Sequence, residues 1–173
     1  MDDILKDFVA ESKELTAQLT EVLELVEEDP KLYRELEGFG QIVDRIMGSA
    51  KYLALDLPQD HPMHAIASFT ELCKIISYKA SQIGNNENLT TTVAAFLLDA
   101  TETLGELYEQ CLSGAKGATS ALLTTTFLDR LRWLATKFDE NLRASVAITK
   151  ESAKSTQDDI DAILKQMGVG PLK

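Results

Sequence analysis

Apolar residues recur every three or four positions along most of the chain, which is the period of an amphipathic helix. The pattern covers about residues 3–28, 31–55, 63–83, 88–112 and 120–146, and the whole chain contains only four prolines. The connections between these segments are short, as is usual between antiparallel neighbours. The sequence therefore predicts an all-α fold in which residues 1–146 form an up-and-down bundle of four to five antiparallel helices.

A shorter amphipathic helix is predicted close to the C-terminus. It follows residues 147–154, whose small and charged side chains are typical of a flexible linker. Ser155 or Thr156 can cap it, and aspartates follow in its first turn, where the helix dipole favours negative charge. Its apolar stripe comprises Ile160, Ile163, Leu164 and Met167. Because so short a helix is marginal alone in water, we expect residues 155–173 to be a mobile tail that becomes helical on a partner. Packing on its own bundle is the alternative.

Composition narrows the classes of partner. The net charge of −11 argues against nucleic acid and anionic membranes, which are bound by clustered lysines and arginines. No apolar run reaches the 18 residues of a membrane span, and the N-terminus does not resemble a signal peptide. Cys73 and Cys111 lie within apolar helical patterns. They are predicted to be reduced, buried thiols of a cytoplasmic protein.

The second helix has an unusual polar face. On a helical wheel its large apolar residues fill one arc, and the opposite arc contains Glu37, Gln41, Asp44, Gly48 and Lys51. The segment also holds three glycines, Gly38, Gly40 and Gly48, and each interior glycine costs a helix about 1 kcal/mol relative to alanine. Bare backbone lets another surface come close. We assign this role towards a partner to Gly40 and Gly48, with tight packing inside the bundle as the alternative.

Residues 3–57 resemble histidine-phosphotransfer domains. The second helix of that family carries a phospho-accepting histidine, two further residues and then Lys-Gly-Ser. Here the run is "DRIMGS" from Asp44 to Ser49, after an acidic helix and an Asp-Pro turn. Asp44 stands at the histidine position and Met47 at the lysine position, so the resemblance implies a receiver-facing surface that includes Asp44 but has lost the phosphate relay. His61 and His64 do not align with the site and are interpreted as surface or capping residues.

The run "EGFGQIVDRIM", Glu37 to Met47, resembles the active helix of the CheZ family of CheY phosphatases. That helix carries an acid, three residues and a glutamine, with a glycine just before the glutamine. The resemblance implies that Gln41 orients the attacking water. It also implies that Glu37, which replaces the aspartate usual in the family, pairs with the active-site lysine of the receiver. Gln110 has the same spacing after Glu106 but lacks the flanking residues.

The C-terminal run "TQDDIDAIL" resembles the CheY-binding peptides of the CheZ family and of the FliM family of flagellar switch proteins. The resemblance implies that this segment tethers a receiver by a helix-in-groove contact. The residues assigned to partner binding are Gln157, Asp158, Ile160, Asp161, Ile163, Leu164 and Met167.

Together these features predict a protein that binds a CheY-like response regulator and accelerates hydrolysis of its aspartyl phosphate in chemotaxis signalling. Mg²⁺ is expected on the partner receiver, and no metal or cofactor of its own is expected on this chain. A non-catalytic adaptor, a phosphotransfer-like domain that only docks receivers, is the alternative. An assembly chaperone for flagella or secretion is a third option, against which the tail argues. The five predicted helices differ from the long CheZ hairpin, so a homodimer remains open.

Overall fold

A computed structural model describes residues 1–115, 121–139, 141–143 and 156–169 of the chain. All regular elements within these ranges are helical. A 3₁₀ helix at Pro30–Glu35 joins the first two α-helices. The α-helices are α1 (Asp2–Glu28), α2 (Leu36–Ala54), α3 (Pro62–Ala80), α4 (Glu87–Ser113), α5 (Thr125–Lys137) and α6 (Thr156–Gln166). The all-α prediction is confirmed.

The first four helices form a closed bundle. α1 packs on α2 and α4, and α3 packs on the same two helices from the other side. Two ion pairs show that α2 and α3 run antiparallel: Asp44 of α2 meets Lys74 of α3, and the later Lys51 meets the earlier Glu71. The predicted up-and-down arrangement is confirmed for α1–α4, and their apolar faces share one core.

α1 and α4 are joined by a buried tyrosine. The Tyr108 ring packs edge-on against Phe8 at a centroid distance of 6.5 Å. Its hydroxyl lies 3.2 Å from the Thr16 hydroxyl, so the buried polar atom has a hydrogen-bond partner. Burial raises the pKa of Tyr108 to about 12, which keeps the phenol neutral. At the rim, Lys13 and Glu109 add an exposed ion pair at 2.6 Å.

α5 and α6 cover α3, which lies inside the molecule. Phe127 of α5 stacks on Phe96 of α4 at 4.8 Å and on Phe69 of α3 at 5.8 Å. α6 packs against both α3 and α5. Most residues of α3 are buried, including polar Thr70 and Lys79. A helix that is apolar almost all round is expected to have neighbours on every side, and α2, α4, α5 and α6 supply them.

Two of the predicted helices differ from the structure by five residues or more at an end. The segment predicted as one helix over 31–55 begins with a 3₁₀ turn, because Asp29 caps it by accepting from the Lys31 amide and Leu32 departs from helical dihedral angles. The predicted helix over 120–146 is shorter: α5 ends at Lys137, and Phe138 is extended. The remainder of that segment falls partly outside the described residues, as does the whole predicted linker 147–154.

His61 is the N-cap of α3, as the sequence interpretation allowed. Its Nδ1 accepts a hydrogen bond from the Met63 amide at 3.1 Å. Burial, followed by the neighbouring His64, lowers the pKa of His61 below its usual 6.5. A pKa that is lower in the folded state stabilises the fold above the unfolded pKa, and this stabilisation is lost as the pH falls.

We therefore expect the free energy of unfolding to fall as the pH drops below about 6.5, since protonated His61 can no longer accept the cap bond. The loss should approach the value of one N-cap, about 1 kcal/mol. Urea unfolding on either side of this pH measures it. His61→Asn keeps a capping side chain without titrating, so its pH dependence should be smaller by this amount. An equal pH dependence in both proteins would assign the effect to other groups.

Candidate functional site

The polar arc of α2 faces solvent. Glu37, Gln41 and Asp44 are exposed along one side of the helix, while Phe39 and Val43 are buried in the core on the other. Glu37 and Gln41 are four residues apart, so their side chains are neighbours on the helix surface. Within the described part of the chain, no side-chain hydrogen bond or ion pair engages Gln41. Its carboxamide can therefore both donate and accept hydrogen bonds to a docked molecule.

Asp44 lies at the centre of this face and is paired. Its Oδ1 is 3.3 Å from the Nζ of Lys74, a largely buried lysine of α3. Met47 is buried, and the neighbouring Arg45 of α2 pairs with Glu11 of α1 at 2.7 Å. Lys74 belongs to the site and was missed by the sequence analysis. No signal in the sequence could have found it, because only the pairing of α2 with α3 brings it to Asp44.

Tyr78 of α3 is a second residue that the sequence analysis missed. Its side chain is largely buried beside α2, and burial is the main reason why the pKa of Tyr78 is raised. The negative charges of Asp44 and then Glu37 raise the pKa further. The phenol therefore stays protonated and lies within the field of both carboxylates. Tyr78 stands at a core position of the helical pattern, which gave no sign that it borders this face.

The role predicted for Gly40 is corrected by the structure. Gly40 is buried and faces α3: a Cβ at this position would lie 2.9 Å from Ser77 Oγ and 2.9 Å from Tyr78 Cε2. The glycine therefore lets α2 and α3 approach each other, which was the alternative interpretation. Gly48 differs, since it is exposed and an added Cβ would meet nothing within 4 Å. It leaves backbone open to an incoming surface.

The expectation of a tail separate from the bundle is also corrected. Ile160, Ile163 and Leu164 are buried against α3 and α5, because the stripe finds an apolar surface on its own chain. Met167 is half-buried against the same core. The opposite side of α6 is polar, with Asp158 and Asp161 exposed and the Gln157 amide donating to Asp161 at 2.8 Å. The residues assigned to partner binding thus divide into a buried apolar set and an accessible polar set.

Gln110 does not form a second site of the same kind. Its Oε1 is buried and has no hydrogen-bond partner among the described residues, whereas Gln41 is exposed. Truncating Gln110 would therefore change packing, so it is a poor control for Gln41. Gln18, exposed on α1, is a better match.

Other candidate chemistry is limited within the described ranges. They contain no cluster of three or more His, Cys, Asp or Glu side chains arranged to hold a metal ion. None of the helices described combines the length and the apolar character needed to cross a membrane. Cys73 and Cys111 are buried and unpaired, as predicted. Burial raises the pKa of Cys73 to about 12, so its reactive thiolate form is suppressed.

Comparison with known proteins adds no relative. No family model matches the chain, and neither the curated proteins nor the solved structures contain a significant match. The resemblances to known families therefore rest on the residues of α1, α2 and α6, and function is argued from the geometry of α2 and α6.

Proposed function

We propose that the exposed face of α2 docks a CheY-like receiver domain and accelerates hydrolysis of its aspartyl phosphate. The observation that carries the proposal is that Glu37 and Gln41 are both exposed on one side of α2, while the other side of this helix is fixed in the core. A rigid helix can present both side chains to a partner at fixed spacing, which is what positioning catalysis requires.

Hydrolysis of an aspartyl phosphate requires no covalent step on the protein that accelerates it. Water attacks phosphorus, the bond from phosphorus to the aspartyl oxygen breaks, and the products are the free aspartate, inorganic phosphate and a released proton. The Gln41 carboxamide accepts a hydrogen bond from the attacking water and can donate one to a phosphoryl oxygen. Glu37 orients the docked receiver by pairing with a lysine of its active site. Mg²⁺, expected on the receiver, would neutralise charge on the phosphoryl oxygens.

The surroundings of the pair suit a docked domain. Gly48 leaves the backbone open two turns after Gln41, so a partner can lie close to the helix. The Asp44 carboxylate is neutralised by Lys74 at 3.3 Å, which reduces the repulsion that an acidic receiver site would meet. Tyr78 adds no negative charge to this face, because burial and the neighbouring carboxylates raise the pKa of its phenol.

The second candidate is a non-catalytic adaptor that docks receivers on the same face. The Asp44–Lys74 ion pair favours it, because a closed charge pair stands where the resembling phosphotransfer domains carry their reactive histidine. If the protein is such an adaptor, Gln41 contributes contact area to the docked receiver and takes no part in hydrolysis. The two candidates share a docking surface and differ in whether the receiver loses phosphate faster when bound.

A release assay separates them. A CheY-like receiver is phosphorylated with a small phosphodonor in the presence of Mg²⁺, the donor is removed, and phosphate release is followed with and without the full chain. We expect the rate to rise with chain concentration and to saturate as binding saturates. Binding without any rise in rate would leave the adaptor. Absence of both binding and release would contradict both candidates.

A further inference from the structure

The apolar stripe of α6 lies in a groove on the bundle of its own chain. Ile160, Ile163 and Leu164 are 0%, 5% and 2% exposed, and the surface that covers them belongs to α3 and α5. A side chain that is fully covered by one surface cannot contact another. A partner can therefore bind this stripe only in molecules in which α6 has left the bundle.

A polar contact holds the first turn of α6 in place. The Nζ of Lys79 on α3 donates to the Thr156 hydroxyl at 2.6 Å, and both side chains are buried. A buried lysine is costly unless it is hydrogen-bonded or paired. The bond to the Thr156 hydroxyl is one of the interactions of Lys79, and it stabilises the docked position of α6 from outside the apolar stripe.

α6 is also separable from the rest of the fold. It has eleven residues, and among the described residues it packs mainly on α3 and α5, while α1–α4 close on one another without it. Short elements with few buried contacts open locally at lower cost than the core that carries them. An isolated helix of this length is marginal in water, so α6 remains helical by being docked on some surface.

We propose that α6 is an internal ligand of the bundle, and that a receiver captures it only by competing with the groove between α3 and α5. The identity of the competitor rests on the proposed function, but the opening of α6 does not. The apparent dissociation constant for the receiver equals the intrinsic constant divided by the fraction of molecules in which α6 is undocked. The groove thereby sets how strongly the tail can contribute to receiver binding.

Thr156→Val tests the proposal, because it removes the hydroxyl that accepts from Lys79 and keeps the shape of the side chain. Hydrogen exchange measured by mass spectrometry on the full chain reports the opening of residues 156–169. We expect exchange of α6 to be faster than that of α1–α4 in the wild type and about tenfold to a hundredfold faster again in the variant, the size expected for one hydrogen bond to a charged group. Affinity for an unphosphorylated CheY-like receiver should rise by the same factor. Thr91→Val, at an exposed threonine of α4, is the matched control and should change neither quantity.

The outcomes separate the proposal from the function on which it partly rests. Hydrogen exchange of α6 as slow as that of α2, or exchange unchanged by Thr156→Val, would contradict the proposal that α6 opens separately from the bundle. Faster exchange with unchanged affinity for a receiver that does bind would overturn the competition. If the receiver binds neither protein, the proposed function fails, while tenfold faster exchange in the variant would still support α6 as an internal ligand.

Discussion

Gln41→Ala should lower the stimulated hydrolysis of a phosphorylated receiver by about 10² or more, the usual loss when one polar group that acts in the transition state is removed. Receiver affinity should stay near that of the wild type, since a group used chiefly in the transition state contributes little to the bound ground state. The Gln41 side chain is exposed and forms no hydrogen bond with the described residues, so the free energy of unfolding should change by no more than about 0.5 kcal/mol. Single-turnover phosphate release at saturating chain measures the rate, a binding titration measures the affinity, and urea unfolding measures the stability.

Two further variants sharpen the Gln41 result. Glu37→Ala should reduce affinity and rate together, because a charge pair with the receiver exists before and during the reaction. Gln18→Ala removes an equally exposed glutamine from α1 and should leave both unchanged. Full stimulation by Gln41→Ala would exclude this site. Stimulation lost equally in Gln41→Ala and Gln18→Ala would indicate a general effect of surface substitution.

Gly40→Ala should destabilise the fold by about 1–3 kcal/mol, the usual cost of an extra methyl group in a packed core. The added Cβ would lie 2.9 Å from Ser77 Oγ and from Tyr78 Cε2, and both of these side chains are buried and have little room to move. This clash should exceed the gain of about 1 kcal/mol that alanine brings to a helix. Thermal or urea unfolding of the variant measures the difference.

Gly48→Ala is the matched control on the same helix and should have the opposite sign. Nothing lies within 4 Å of its added Cβ, so the helix should gain up to about 1 kcal/mol. If a receiver approaches this backbone, the same substitution should weaken docking while it stabilises the free protein. Equal stability of Gly40→Ala and the wild type would contradict the close approach of α2 and α3.

The two glycines show where sequence reasoning stops. The helical wheel placed Gly48 on the polar arc, and it is exposed. Gly40 carried the same compositional signal, yet it lies at the boundary between the arcs and is covered by Tyr78. A glycine in the sequence indicates that another part of the protein or a partner can approach the helix closely. Whether a neighbouring helix already occupies that space depends on the tertiary structure.

The period of the apolar residues was sufficient to predict the helices and their approximate bounds, because burial of one face per helix depends mainly on local spacing. The short connections predicted the antiparallel order of α1–α4. The apolar period was also sufficient to place Glu37 and Gln41 on the exposed side of α2. Only the tertiary structure brought Lys74 and Tyr78 to that face and set α6 in the groove between α3 and α5. The physical reason is that the hydrophobic effect is not directional. A stripe such as that of α6 determines that a surface must cover it, and the shape of the folded bundle determines which surface does.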